Sequence, residues 1–143
     1  MFIPRRGNFH IEWYPKIAST AIALWDLLYA DGSGAVQPAD ATSGDHIGVC
    51  LKTIAATDSD YASNTLIPVL VPSDSRAEWE VDVDTGTALT TAMVGSRYDL
   101  TDANSLNVGG TSKKVVTITK FVSATKAWVK INAMIANADV ATT

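Results

Sequence analysis

A strict alternation of apolar and acidic residues at positions 77–84 constrains the fold more than any other feature of the sequence. Trp79, Val81 and Val83 alternate with four acidic residues, which are Glu78, Glu80, Asp82 and Asp84. Successive side chains of a β-strand point to opposite faces, so the pattern predicts a strand with one buried face and one solvated face. A strand of this kind has to pack its apolar face on another layer, and the chain is therefore expected to contain packed sheets.

Further runs rich in β-branched and aromatic residues predict more strands. Residues 47–54 carry little charge and predict a central strand, whereas Pro68 lacks a backbone donor and predicts that the strand at 65–71 lies at an edge or a bulge. A hairpin is predicted from residues 114–122 and 126–131. Short strands are predicted at residues 92–95, 98–100 and 105–108.

Residues 21–30 fit two structures. Ile17, Ala21, Leu24 and Leu28 have helical spacing, yet the sequence DGSG at residues 31–34 is typical of a tight turn that leads into a returning strand at 35–37. We favour the hairpin, because it matches the many short strands around it. The whole pattern predicts an all-β protein, a small antiparallel barrel or sandwich, with one domain at residues 16–136 and a flexible tail at 137–143.

The first fifteen residues, MFIPRRGNFHIEWYP, combine helix and strand breakers with large apolar side chains. Ordering such a segment costs about 1–2 kcal/mol per residue, and each large side chain returns about 1.5–3 kcal/mol when it is buried. The two sums are comparable, so we expect an extended N-terminal arm that orders against a surface. That surface is either its own domain or a neighbouring macromolecule. The residues expected to make the contact are Phe2, Ile3, Arg5, Arg6, Phe9, Trp13 and Tyr14.

Composition argues against several classes of function. A net charge of −4 is unfavourable for contact with nucleic acid, and no apolar run is long enough to cross a membrane or to act as a secretory signal. The chain is therefore expected to be made in the cytoplasm. Cys50 is the sole cysteine and is expected to be a buried packing residue.

Catalytic and metal-binding patterns are weak. Only His10 and His46 offer an imidazole base, and the sequence Ser43–Gly44–Asp45–His46 is more typical of a turn than of a hydrolytic triad. Glu78, Glu80, Asp82 and Asp84, which we call the acidic row, are poorly suited to calcium. Side chains on one face of a strand repeat about every 6.5–7 Å, too far apart for all four to share one ion. No enzymatic activity, metal or cofactor is expected.

Charge suggests how subunits could associate. Glu78, Glu80 and Asp82 of the acidic row would be matched by a stretch that contains lysines and no acidic residue, with Lys120, Lys126 and Lys130 as its expected contacts. The alternative is that these lysines protect strand edges from aggregation.

Several segments resemble the capsid decoration, or cement, proteins of tailed bacteriophages. They are LLYADGSG at 27–34, IGV at 47–49, AEWEV at 77–81, YDLTDA at 98–103 and FVSATK at 121–126. The resemblance covers roughly residues 20–135 and includes no catalytic motif. It implies a β-tulip-like domain, often trimeric, that docks on the outside of the virion capsid and stabilises the shell.

The resemblance also implies a role for the N-terminal arm. Such arms run along the major capsid protein, which is the expected partner, and the aromatic residues and Arg5 and Arg6 of this chain suit that contact chemically. The alternative function is a carbohydrate- or host-surface-binding module of the phage particle, in which Trp25, Trp79 or Trp128 would stack on a sugar. A third alternative, a hydrolase, would require His46 to cluster with a serine and a carboxylate in an open cleft.

Overall fold

The computed structural model describes residues 1–84, 86–132 and 134, and in this part the regular structure consists of β-strands apart from one 3₁₀ turn. The prediction of an all-β fold is confirmed. No helix among these residues has the length and apolar character needed to span a membrane. The strands are β1 (Phe2–Arg6), β2 (Phe9–Pro15), β3 (Leu27–Ala30), β4 (Val36–Pro38), β5 (His46–Cys50), β6 (Leu66–Pro72), β7 (Glu78–Val83), β8 (Arg97–Asp102), β9 (Ser105–Asn107), β10 (Val116–Ser123) and β11 (Lys126–Ile131).

The first sheet has the strand order β1-β7-β11-β10-β8-β9 and closes on itself, because β9 also pairs in parallel with β7. The buried face predicted for β7 is confirmed, since Trp79, Val81 and Val83 are all buried. The opposite face is less solvated than predicted, because Glu78 is buried as well. The predicted hairpin of β10 and β11 is confirmed as well. Thr91–Met93 form a 3₁₀ turn without buried residues, which overlaps the short strand expected at residues 92–95. That expectation was wrong because the turn leaves its apolar side chains partly exposed.

The second sheet has the order β2-β6-β5-β3-β4, with β5 at its centre as predicted. Gly48 allows close packing there, because a Cβ atom at this position would lie 2.3 Å from the carbonyl oxygen of Leu70. The hairpin predicted from residues 21–30 and 35–37 is confirmed as β3 and β4, although its first strand begins only at Leu27.

Pro68 does not lie on an edge strand, so that prediction was wrong. It lies in β6, which is flanked by β2 and β5. The carbonyl of Pro68 accepts a hydrogen bond from Leu51 N–H, just beyond the end of β5. The N–H and C=O of one strand residue point to the same side, so a donor at position 68 would point towards Leu51. β5 has already ended at Cys50, and the lack of this donor therefore breaks no hydrogen bond within β5 and β6.

The N-terminal segment is extended, but it is part of the two sheets and does not project as an arm. β1 pairs with β7, and β2 pairs with β6 along its whole length. Gly7 makes the corner between them with φ +105°, and a Cβ atom there would lie 2.8 Å from the Cα of Ala77. Residues 1–15 thus connect both sheets. Two surfaces were considered for this segment, and it packs on one of them, its own domain.

Two hydrophobic cores share the second sheet. The first core lies between the sheets and contains Phe2, Trp79, Leu27 and Val49. The second lies on the opposite face of the second sheet, where Ile22 and Ile54 from connecting segments cover residues such as Leu28. The tail predicted at residues 137–143 lies outside the described residues.

Candidate docking surface

The residues predicted to contact a capsid fall into three groups in the structure. Phe2 and Phe9 belong to the first group, which serves the core. Phe2 is 0% exposed, and the ring of Phe9 packs edge-on against Trp79 with 5.0 Å between ring centroids. Their assignment as surface anchors is therefore corrected: strand pairing of β1 and β2 turns both side chains inward.

The second group lies along β7. Arg5 forms two hydrogen bonds with the carboxylate of Glu80, at 3.1 and 3.2 Å. Arg6 Nη1 lies 3.1 Å from Glu78 Oε2, and Ile3 is half-buried opposite Glu80 in the strand register. The two arginines thus have carboxylate partners within their own chain.

The same pairing changes the interpretation of the acidic row. Lys126 Nζ lies 3.8 Å from Glu80 Oε1 and 3.7 Å from Asp82 Oδ1, and Trp128 Nε1–H donates to Glu80 Oε2. The hydrogen bond from Arg5 is the main reason why the pKa of Glu80 is lowered. The acidic row and Lys126 therefore already meet inside one chain, because β11 and β1 flank β7. A contact of these acids between subunits stays a prediction.

The other two lysines of the expected subunit interface make no ion pair in the described part of the chain. Lys120 Nζ lies over the ring of Trp128, 4.5 Å from its centroid. Lys130 is exposed on β11. Neither position distinguishes a subunit contact from the protection of a strand edge.

The third group consists of Trp13 and Tyr14, and Trp13 belongs to an exposed apolar surface. Trp13 is 61% exposed, and its neighbours on the same face of the sheet are also apolar. The register places Trp13 opposite Pro68 and Pro15 opposite Leu66. Ile11 precedes Trp13 by two residues and therefore lies on the same face of β2. We call Ile11, Trp13, Pro15, Leu66 and Pro68 the apolar patch.

Exposure of the apolar patch is high for its largest members. Ile11 and Leu66 are each 57% exposed, although both belong to well-formed strands. Trp13 was predicted as a contact residue from the sequence, whereas Ile11 and Leu66 were not. The period-two row Phe9, Ile11, Trp13, Pro15 would have revealed the first of them, whereas Leu66 joins the patch through pairing across 51 positions of sequence.

The opposite face of β2 is polar. Tyr14 O–H donates to Glu12 Oε2 at 2.7 Å, and His10 Nε2 lies 3.2 Å from Glu12 Oε1. The hydrogen bond from Tyr14 is the main reason why the pKa of Glu12 is lowered, and burial together with this carboxylate raises the pKa of Tyr14 to about 12. Tyr14 is thus held on the face away from the apolar patch.

The tryptophans proposed as sugar platforms are poorly placed for stacking. Trp79 is in the core, and Trp128 lies beneath Arg6 and Lys120. Trp25 is half-buried against the first core. Trp13, which was not among the three, is the most exposed tryptophan of the chain.

Ser43 and His46 meet, but in the interior. Ser43 Oγ lies 3.1 Å from His46 Nε2, and His46 is fully buried. The same hydroxyl contacts both the N–H and the C=O of Asp40, so it anchors a turn to β5. A hydrolase needs a nucleophile and a base that substrate can reach, and here the Ser43 hydroxyl is held in a turn against a fully buried imidazole.

Neither a metal site nor a known relative identifies a function for the described part of the chain. Within the described ranges, no group of three or more His, Cys, Asp or Glu side chains is arranged to hold a metal ion. No protein-family model matches the chain, and no match is found among curated proteins. The interpretation of function therefore depends on the chemistry of the surface and on the resemblance described above.

Proposed function

We propose that the protein is a non-enzymatic structural protein of a tailed-phage virion, which docks on the outside of the capsid and stabilises the shell. The partner is the major capsid protein. The observation that carries the proposal is the apolar patch, where Ile11, Trp13 and Leu66 are all more than half exposed on a rigid pair of strands.

Apolar side chains presented in this way favour a protein partner. A contiguous apolar surface on a soluble protein is typical of a docking site, and a central tryptophan is the residue most often responsible for the binding energy. The patch is carried by β2 and β6, whose pairing is continuous over seven residue pairs, so little conformational entropy is lost on binding. The proposal thus keeps Trp13 from the predicted contact residues and replaces Phe2 and Phe9 by Ile11 and Leu66.

The alternative, a carbohydrate- or host-surface-binding module, is less well supported. Sugar sites combine an aromatic ring with several polar groups that fix the hydroxyls. The neighbours of Trp13 on its face of the sheet are proline, leucine and isoleucine. A ring in these surroundings suits an apolar protein surface better than a sugar.

Binding to capsids tests the proposal. Deletion of residues 1–15 would remove β1 and β2 and unfold the domain, so point substitutions in the patch are required. Trp13→Ala and Leu66→Ser are expected to weaken cosedimentation with purified expanded capsids by roughly 30-fold or more, the range of an interface hot spot.

Val122→Ser is the matched control, because Val122 is an exposed apolar residue of β10, 42% exposed and outside the patch. It should bind like the wild type. Undiminished capsid binding by both patch variants would contradict the proposal, and binding of a glycan that depends on Trp13 would favour the alternative.

A further inference from the structure

The outer edge of β2 carries backbone groups that have no strand partner among the described residues. Asn8 C=O accepts from Ser73 N–H at 2.8 Å and Lys16 N–H donates to Thr65 C=O at 3.0 Å, so even-numbered residues of this strand face β6. Hydrogen bonding alternates along an antiparallel strand, and the odd-numbered Phe9, Ile11 and Trp13 therefore point their N–H and C=O groups away from β6. β2 is the terminal strand of its sheet, and over these three residues no other strand of the described chain pairs with it.

Other sheet edges of the molecule are protected. β1 contains Pro4 and two arginines, and its Phe2 N–H donates to Trp25 C=O. β4 has three residues and ends at Pro38, and a parallel bridge joins its Val36 to Lys16. Between Phe9 and Trp13, β2 has no proline, lysine or bulge, the usual devices that prevent pairing between molecules.

We propose that β2 pairs with β2 of a second copy of this chain in an antiparallel arrangement about a two-fold axis, with Ile11 opposite Ile11. This register makes three pairs that use all the free groups: Ile11 with Ile11, and Phe9 with Trp13 in both directions. Pro15, which lacks a donor, then lies outside the pairing.

The polar side chains of β2 favour the same register. With Ile11 on the axis, His10 of each chain lies opposite Glu12 of the other, and side chains of directly opposed residues approach closely enough to interact. A shift by one step, with Glu12 on the axis, would place two carboxylates together and would bring Pro15 opposite Phe9. A shift in the other direction would place His10 opposite His10 and would lose one pair.

The size of the contact sets the strength of the dimer. Three residue pairs bury less than the roughly 1,200–2,000 Å² of a stable interface, so we expect a dissociation constant in about the micromolar to millimolar range. The pairing uses the backbone edge and leaves the side chains of the apolar patch exposed, and it is therefore measurable without any capsid.

Sedimentation equilibrium of the wild-type chain, from about micromolar to about millimolar concentration, gives the first test. We expect a monomer–dimer equilibrium. A single monomer mass throughout would overturn the proposal, and so would a trimer, which a two-fold strand pairing cannot form.

Charge variants test the register. His10→Glu places carboxylates opposite one another twice and should weaken the dimer about tenfold or more, whereas the double variant His10→Glu with Glu12→Lys should restore it. Lys130→Glu, an exposed charge change on β11, is the control and should leave the dimer unchanged. Dimers that are equally strong in all four proteins would overturn the register.

Ile11→Pro tests the backbone contact. The N–H that it removes points outward, so it is expected to cost the monomer no internal hydrogen bond while it abolishes two bonds at the axis. Thermal melting checks that each variant is folded. If Ile11→Pro fails to fold, amide exchange of Ile11 and Trp13 in the wild type replaces it: protection that rises with concentration supports the pairing, and protection independent of concentration overturns it.

Discussion

Replacing Phe2 by alanine tests whether the N-terminal segment is part of the folded domain. Phe2 is 0% exposed in the first core, and its strand pairs with β7. Truncation of a fully buried phenylalanine to alanine costs about 3–5 kcal/mol through lost burial and the cavity that remains. At about 2–5 °C per kcal/mol for a domain of this size, the melting temperature should fall by roughly 6–25 °C.

Trp13→Ala is the matched comparison, since Trp13 belongs to the same segment but is 61% exposed. It should lower the free energy of unfolding by about 1 kcal/mol or less. Denaturant unfolding followed by far-UV circular dichroism measures both variants. If Phe2→Ala were as stable as Trp13→Ala, within about 0.5 kcal/mol, residues 1–15 would be dispensable for folding and the role given to β1 would be refuted.

Two further predictions concern buried polar groups. Burial alone would raise the pKa of Asp99, but hydrogen bonds from Lys114 N–H, Lys113 N–H and Ser112 outweigh it and lower the pKa. Asp99→Asn should therefore cost about 2–4 kcal/mol at pH 7, with Asp60→Asn, whose carboxylate lies 3.8 Å from Lys52 Nζ, as a control that costs about 1 kcal/mol or less. Because the pKa of Asp99 is lowered in the folded state, its stabilising effect is fully present above the unfolded pKa of about 3.9 and is lost as the pH falls through the folded pKa. The destabilisation by Asp99→Asn should therefore shrink in acid. A destabilisation that persists in acid would contradict the role given to the Asp99 carboxylate. Burial raises the pKa of Cys50 to about 11, so a thiol reagent at pH 8 should label it slowly in the native protein and rapidly in denaturant, and equal rates would contradict the burial.

Local patterns predicted the strands whose own side chains report their environment. The alternation around Trp79 indicates which face of β7 is buried in the core, and the uncharged run around Val49 indicates burial on both faces of β5. These signals are carried by neighbouring residues, so no knowledge of the rest of the fold is needed to interpret them.

Predictions that depended on partners distant in sequence failed. Pro4 and Gly7 suggested an irregular arm, but β1 pairs with a strand that follows more than 70 positions later. Pro68 suggested an edge strand, but β2 pairs with β6 and is itself the outer strand. For the same reason, the attraction between the acidic row and Lys126 was recognised, but the contact within one chain follows only from the adjacency of β7 and β11. Sequence reveals which chemistry is complementary, and topology decides where the complementary groups meet.

Both proposed contacts use β2, and the geometry of a strand explains why they do not compete. Hydrogen-bonding groups lie in the plane of a sheet, whereas side chains stand perpendicular to it. Pairing through Ile11 would leave the Ile11 and Trp13 side chains exposed and would bring the two apolar patches side by side across the two-fold axis. A dimer could then present one surface of twice the area, and a capsid offering two sites at the matching distance would bind it more tightly than two monomers. By thermodynamic linkage, such a capsid would strengthen the pairing of β2 strands by the same factor, so a dimer that is weak in solution is sufficient for assembly on the shell.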